Sequence, residues 1–117
     1  MVDFFNIADP NATLAPISDR QFGEGLWRDE LISYDDYLSF VGPGTIPPRL
    51  LTIVEKLPDD DTGAPTPQKV ARGLLTGAKD FEFSNPFVEQ IRQAFERDDD
   101  RWTPEFLRER WTIWATL

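Results

Sequence analysis

Apolar positions in this chain recur in short bursts of helical spacing, each cut off by proline, glycine or a run of aspartates. Tyr34, Tyr37, Leu38 and Val41 keep an i, i+3, i+4, i+7 rhythm, which predicts a helix from Ser33 to Val41. Ser33 stands where a capping side chain is needed, and Gly42-Pro43-Gly44 ends the run. After Pro47-Pro48 the residues Leu50, Leu51, Ile53, Val54 and Leu57 make the next helix apolar on more than one side, a candidate for the centre of the core. Ahead of these, Ser18-Asp19 offers a cap, with Phe22, Leu26 and Trp27 on one side of a helix. Gly23 and Gly25 each lower its propensity by about 1 kcal/mol relative to alanine, so this element is expected to be marginal.

Three later starts share one chemistry. Thr66-Pro67, Asn85-Pro86 and Thr103-Pro104 each place a capping side chain directly before a proline, whose missing N–H costs nothing in a first helical turn. The segments that follow do not match one another, so the recurrence is reused start chemistry rather than a solenoid repeat. The first of these helices should end near Thr76, with Val70, Leu74 and Leu75 inward and Gly77 as its stop. The second carries the stripe Phe87, Val88, Ile91, Ala94 and Phe95, ended by Asp98-Asp99-Asp100. The third presents Leu107, Trp111 and Trp114, joined by Phe106 and Leu117.

Between helices, Pro58–Pro65 holds three acids, a glycine and two prolines and reads as a loop. Asp80-Phe81-Glu82-Phe83 alternates polar and apolar, a strand signal that could pair with the N-terminal arm. That arm, residues 1–17, is broken by Pro10 and Pro16 and carries Val2, Phe4, Phe5 and Ile7, with a short strand expected at 2–7. The predicted fold class is therefore mainly α. It is a single small domain over 18–117 of four to six short helices, with an extended N-terminal arm and room for one short β-hairpin or strand pair.

Composition changes the functional picture more than the structural one. The 117 residues contain no histidine and no cysteine, yet 13% are aromatic, with four tryptophans. The side chains most used for catalysis near neutral pH are absent, and those that dominate cores and interfaces are plentiful. The absence of cysteine removes disulfides and thiolate metal sites. The start Met-Val-Asp-Phe-Phe-Asn does not read as a signal peptide, and no apolar run reaches the ~20 residues of a membrane helix. The expected location is the cytoplasm, or a particle assembled there. A net charge of −9 with scattered basic residues disfavours nucleic-acid binding.

Candidate chemistry is thin. Carboxylate runs at Asp35-Asp36, Asp59-Asp60-Asp61 and Asp98-Asp99-Asp100 lie on turns, without the burial and fixed separation of a catalytic pair. Asp59-Asp60-Asp61-Thr62-Gly63 fails as a calcium loop, because Gly63 stands at a ligand position, Ala64 at the glycine and Val70 at the bidentate acid. Gly42-Pro43-Gly44-Thr45 lacks the following lysine of a phosphate cradle, and Pro43 removes a donor. No catalytic residue, metal ligand, cofactor or small-molecule substrate is predicted.

The sharpest functional candidate is the C-terminal segment, which holds three of the four tryptophans among arginines. Its apolar residues, Phe106, Leu107 and Ile113 included, extend further around the helix than one buried face requires. The expectation is a non-catalytic interaction or assembly protein, of the kind found as structural or accessory parts of phage virions. It would bind a protein partner or another copy of itself through Phe4, Phe5, Trp102, Phe106, Arg108, Arg110, Trp111 and Trp114. The same helix can instead close the protein's own core. Two other classes stand beside this reading: an acidic inhibitor imitating nucleic acid, and a small enzyme using carboxylates alone.

Overall fold

The computed structural model describes residues 14–117. The helix expected at the start of the domain forms as Asp19–Arg28, α1, and a strand that the sequence pattern does not place, Ile17–Ser18, precedes it as β1. Ser18 serves both. Its hydroxyl accepts from the Gln21 backbone N–H while the Gln21 side chain accepts from Ser18 N–H, a reciprocal capping box that starts α1. Helix α2 is Tyr34–Val41, capped by Ser33, and α3 is Pro48–Glu55. Helices α4 (Pro67–Gly77), α5 (Pro86–Asp98) and α6 (Pro104–Trp114) begin at the three capped prolines. Thr66 and Thr103 accept from the N–H three residues on, and Asn85 from the N–H two residues on.

The strand signal at Asp80 gives β2, Asp80–Phe81, which pairs antiparallel with β1 so that Ile17 faces Phe81 and Ser18 faces Asp80. The described residues thus form a mainly α domain of six helices with one two-stranded ribbon, as the sequence pattern predicts. The strand expected at 2–7 lies outside them. Among them no helix is long and apolar enough to cross a membrane.

Helix α1 is the axis of the larger part of the core. It packs against α2, α6 and both strands, and its Phe22 ring lies 4.6 Å from Phe81 and 6.1 Å from both Trp111 and Trp114. Helix α3 packs against α4 and α5 and buries Leu50 and Val54 completely. Its opposite side is exposed at Thr52 and Glu55, so it is amphipathic and the centre of the core belongs to α1. One inward assignment is corrected. Val70 is 59% exposed, because the buried stripe of α4 runs through Ala71 and Leu75, one residue around the helix.

The two glycines that should weaken α1 are both buried in it. A Cβ on Gly25 would stand 2.6 Å from Cδ1 of Trp114 and closer still to the indole's Cγ and Cδ2. A Cβ on Gly23 would stand 2.9 Å from Cδ2 of Phe40. The lost propensity is exchanged for close approach of two rings to the helix backbone.

Candidate functional site

The C-terminal helix is held by a residue that the sequence pattern does not single out. Helix α1 ends in a Schellman turn: Leu31 N–H donates to Leu26 O, and Glu30 N–H to Trp27 O. Glu30 takes φ 64°, a left-handed conformation that usually calls for glycine, and Leu26 and Leu31 are buried on either side of the turn. This geometry aims Asp29 at α6. Arg110 Nε and Nη2 donate to Asp29 Oδ2 and Oδ1 at 2.9 and 2.6 Å, a two-point pair, and Trp114 Nε1 donates to Oδ2 at 2.9 Å. One carboxylate therefore satisfies the arginine and the indole together.

The tryptophans offered as partner-facing are turned inward. Trp102 is 3% exposed, and Trp111 and Trp114 are 1% exposed each. Trp111 packs edge-on against Phe83 at 5.4 Å, and its Nε1 donates to Ala15 O at 3.4 Å. Trp102 lies against Phe95, and half-buried Phe106 packs edge-on against Trp102 at 4.9 Å. Arg108 sits over the Phe83 ring, 5.7 Å from its centroid. Arg110 is taken up by Asp29. Helix α6 thus closes the core, and of its apolar residues Ile113, 40% exposed, is the one left to solvent. Phe4 and Phe5 lie outside the described residues.

One charged residue is buried within the apolar stripe of α5. Arg92 stands at i+4 from Val88 and next to Ile91. Its Nη1 donates to Trp102 O and Glu96, and its Nε and Nη2 donate to Glu89. The α5–α6 connection is tied to α5 by this arginine. The hydrogen bond from Arg92 is the main cause holding the Glu89 carboxyl below its ordinary value near 4.5; burial opposes it and Gln93 adds to it. A carboxyl lowered in the folded state stabilises it at pH values above the unfolded value, and that contribution is lost as pH falls through the folded one. Glu89→Gln should therefore flatten the acid limb of the stability profile below about pH 4.5. Because Glu89 is nearly half exposed, the loss at neutral pH should stay within about 1 kcal/mol. Urea midpoints between pH 2 and 7 measure both effects.

Two of the three aspartate runs are engaged locally. Asp59 accepts from the Thr66 hydroxyl and from Lys69, Asp98 from Arg49, and Asp99 from Arg101. Among the described residues no three acids gather into a group that could hold a metal ion.

Among the described residues, the exposed aromatic side chain, Tyr34, lies at the α1–α2 edge. Trp27 stacks on Tyr37 at 5.3 Å with 10° between the rings, and Tyr34 leans on Trp27 at 4.9 Å. Tyr34 is 50% exposed and Leu38, one turn on, 45%. Trp27 and Tyr37 are half-buried. Asp35 and Asp36 stand in the first turn of the same helix, where the helix dipole favours them, and Asp35 lies one turn before Leu38. Compared with family models, with curated proteins and with solved structures, the chain gives no match in any of the three.

Proposed function

We propose that this protein is a non-catalytic protein-binding domain that docks a basic protein segment on the α1–α2 edge. The observation that carries the reading is the Trp27, Tyr34, Tyr37 and Leu38 surface, left half-exposed while the other three tryptophans are spent inside. Tryptophan and tyrosine are the side chains most enriched at binding hot spots, and a preassembled stack loses little freedom on binding. The charge of the partner follows from Asp35 and Asp36 beside the stack and from a net charge of −9. The same charge opposes pairing of two copies through this face, so the partner is a different protein. Its arginines or lysines would meet the carboxylates and ring faces, and its apolar side chains Leu38. A structural or accessory part of a larger particle, such as a phage virion assembled in the cytoplasm, is the setting we propose for this binding. The engagement of Asp59, Asp98 and Asp99 with neighbouring bases speaks against a continuous acidic face imitating nucleic acid.

Trp27 makes the test direct, being the tryptophan with solvent access. Titration with an amphipathic Lys/Leu peptide should change Trp27 emission, with affinity falling as salt rises, and the matching Glu/Leu peptide should have no effect. Tyr34→Ala with Leu38→Ala should weaken binding about tenfold or more without altering the far-UV spectrum. Equal binding of the acidic peptide, or unchanged affinity in the double variant, would overturn the reading.

A further inference from the structure

A cleft lies away from the aromatic edge, between α3 and α5. It encloses about 360 Å³, within the range of small-molecule sites. Ile53 and Leu57 from α3 and its exit, and Ala94 from α5, give it an apolar floor. Arg49, Lys56 and Arg97 stand on its rim with a single acid, Asp98. Three of the chain's twelve basic residues therefore converge on one cleft of a protein whose net charge is −9.

The three cations are not equivalent. Arg49 is occupied: its Nη2 donates to Asp98 at 3.1 Å, and its guanidinium lies 5.0 Å from the Phe95 ring centroid. Lys56 and Arg97 form no ion pair among the described residues. Lys56 is the C-cap of α3 and Arg97 lies in the last turn of α5, so the helix dipoles account for a cation at either place. Helix ends do not require both to border the same apolar floor, with Thr52 and Gln90 beside them.

We propose that this cleft is a binding site for a small amphipathic organic anion. A carboxylate or phosphate head would be held between Lys56 and Arg97, and an aliphatic or aromatic body would lie on Ile53, Leu57 and Ala94. Charge complementarity selects the anion. The volume of the cleft suits a small molecule, and Arg49, engaged by Asp98, is left out of the head-group contact.

The experiment is a nuclear magnetic resonance titration of the full chain with octanoate, octyl phosphate, inorganic phosphate and octyl glucoside, all below micelle-forming concentrations. Shifts confined to α3 and α5 are expected with octanoate or octyl phosphate, and the stronger of the two identifies the head group. Inorganic phosphate and octyl glucoside should each bind at least tenfold more weakly, since each supplies half of the recognition. Lys56→Gln with Arg97→Gln should weaken the anions at least tenfold. Ala94→Trp, which fills the floor and keeps both cations, should do the same. The proposal is overturned if the glucoside binds as well as the anions, if neither anion shifts α3 and α5, or if either variant binds them as wild type does.

Discussion

Replacing Gly25 by alanine is expected to lower stability by about 2 kcal/mol, although alanine is the better helix former by about 1 kcal/mol. The added methyl group would lie inside van der Waals contact of the Trp114 indole. Overpacking of this kind costs about 1–3 kcal/mol, and the upper end applies because the ring has nowhere to go. Trp114 is 1% exposed, and its N–H is anchored to Asp29, so moving the indole aside would break that bond. The net change should appear as a melting temperature about 8 °C lower. Gly73→Ala provides the opposite sign. Nothing lies within 4 Å of a Cβ at that exposed position inside α4, and stability should rise by about 0.5–1 kcal/mol. Combining Gly25→Ala with Trp114→Leu should cost less than the two single changes added together, because the smaller side chain relieves the clash. A neutral Gly25→Ala would mean that helix and indole do not approach so closely.

Gly25 also marks where the sequence stops being legible. The helix starts were readable because capping is local. Ser18, Ser33, Thr66, Asn85 and Thr103 each cap within three residues, and all five do so in the structure. The β2 half of the ribbon was legible because Asp80-Phe81-Glu82-Phe83 alternates in a chain otherwise helical in period; its partner at Ile17–Ser18, two residues long, gave no such signal. The role of Gly25 depends on a ring from α6, far along the chain, so propensity alone made α1 look weak where tertiary packing makes it the axis of the core. Arg92 was legible in principle. It falls on the predicted stripe at i+4 from Val88, with Glu89 and Glu96 spaced to neutralise it along the same helix. Val70 was misplaced because a single valine beside Ala71 shifts the apparent face by one position.

The tryptophan cluster shows the same limit in functional terms. Composition identifies aromatic residues capable of anchoring a partner but does not say which are free to do so, because a core and an interface draw on the same side chains. Topology makes that choice here. Phe22 of α1 packs on Trp111 and Trp114, and Phe83 and Ala15 reach Trp111, so both indoles are covered, while Tyr34 and Leu38 stay exposed on α2. The surplus of apolar residues around α6 had suggested an interface; it reduces to Ile113.

Asp29→Ala should be comparably damaging, by about 2–3 kcal/mol, for a reason rooted in charge rather than volume. It strips Arg110 of a two-point partner and leaves the Trp114 N–H without an acceptor in the core. Removing one member of a fully buried pair costs about 3–5 kcal/mol; Asp29 at 14% and Arg110 at 23% exposure keep some contact with water, which lowers the figure. Asp29→Asn separates the two contributions. Its amide oxygen can still accept from Trp114, while Arg110 loses the charge, so the cost should fall to about 1 kcal/mol. Arg110→Ala leaves Asp29 bonded to the indole and should cost less than Asp29→Ala. The double variant Asp29→Ala with Arg110→Ala should cost less than the sum of the single changes, since it leaves no unpaired guanidinium behind. Urea unfolding gives all four values. If Asp29→Ala costs no more than Asp29→Asn, the indole bond contributes nothing; if neither variant costs anything, α6 is held by packing alone.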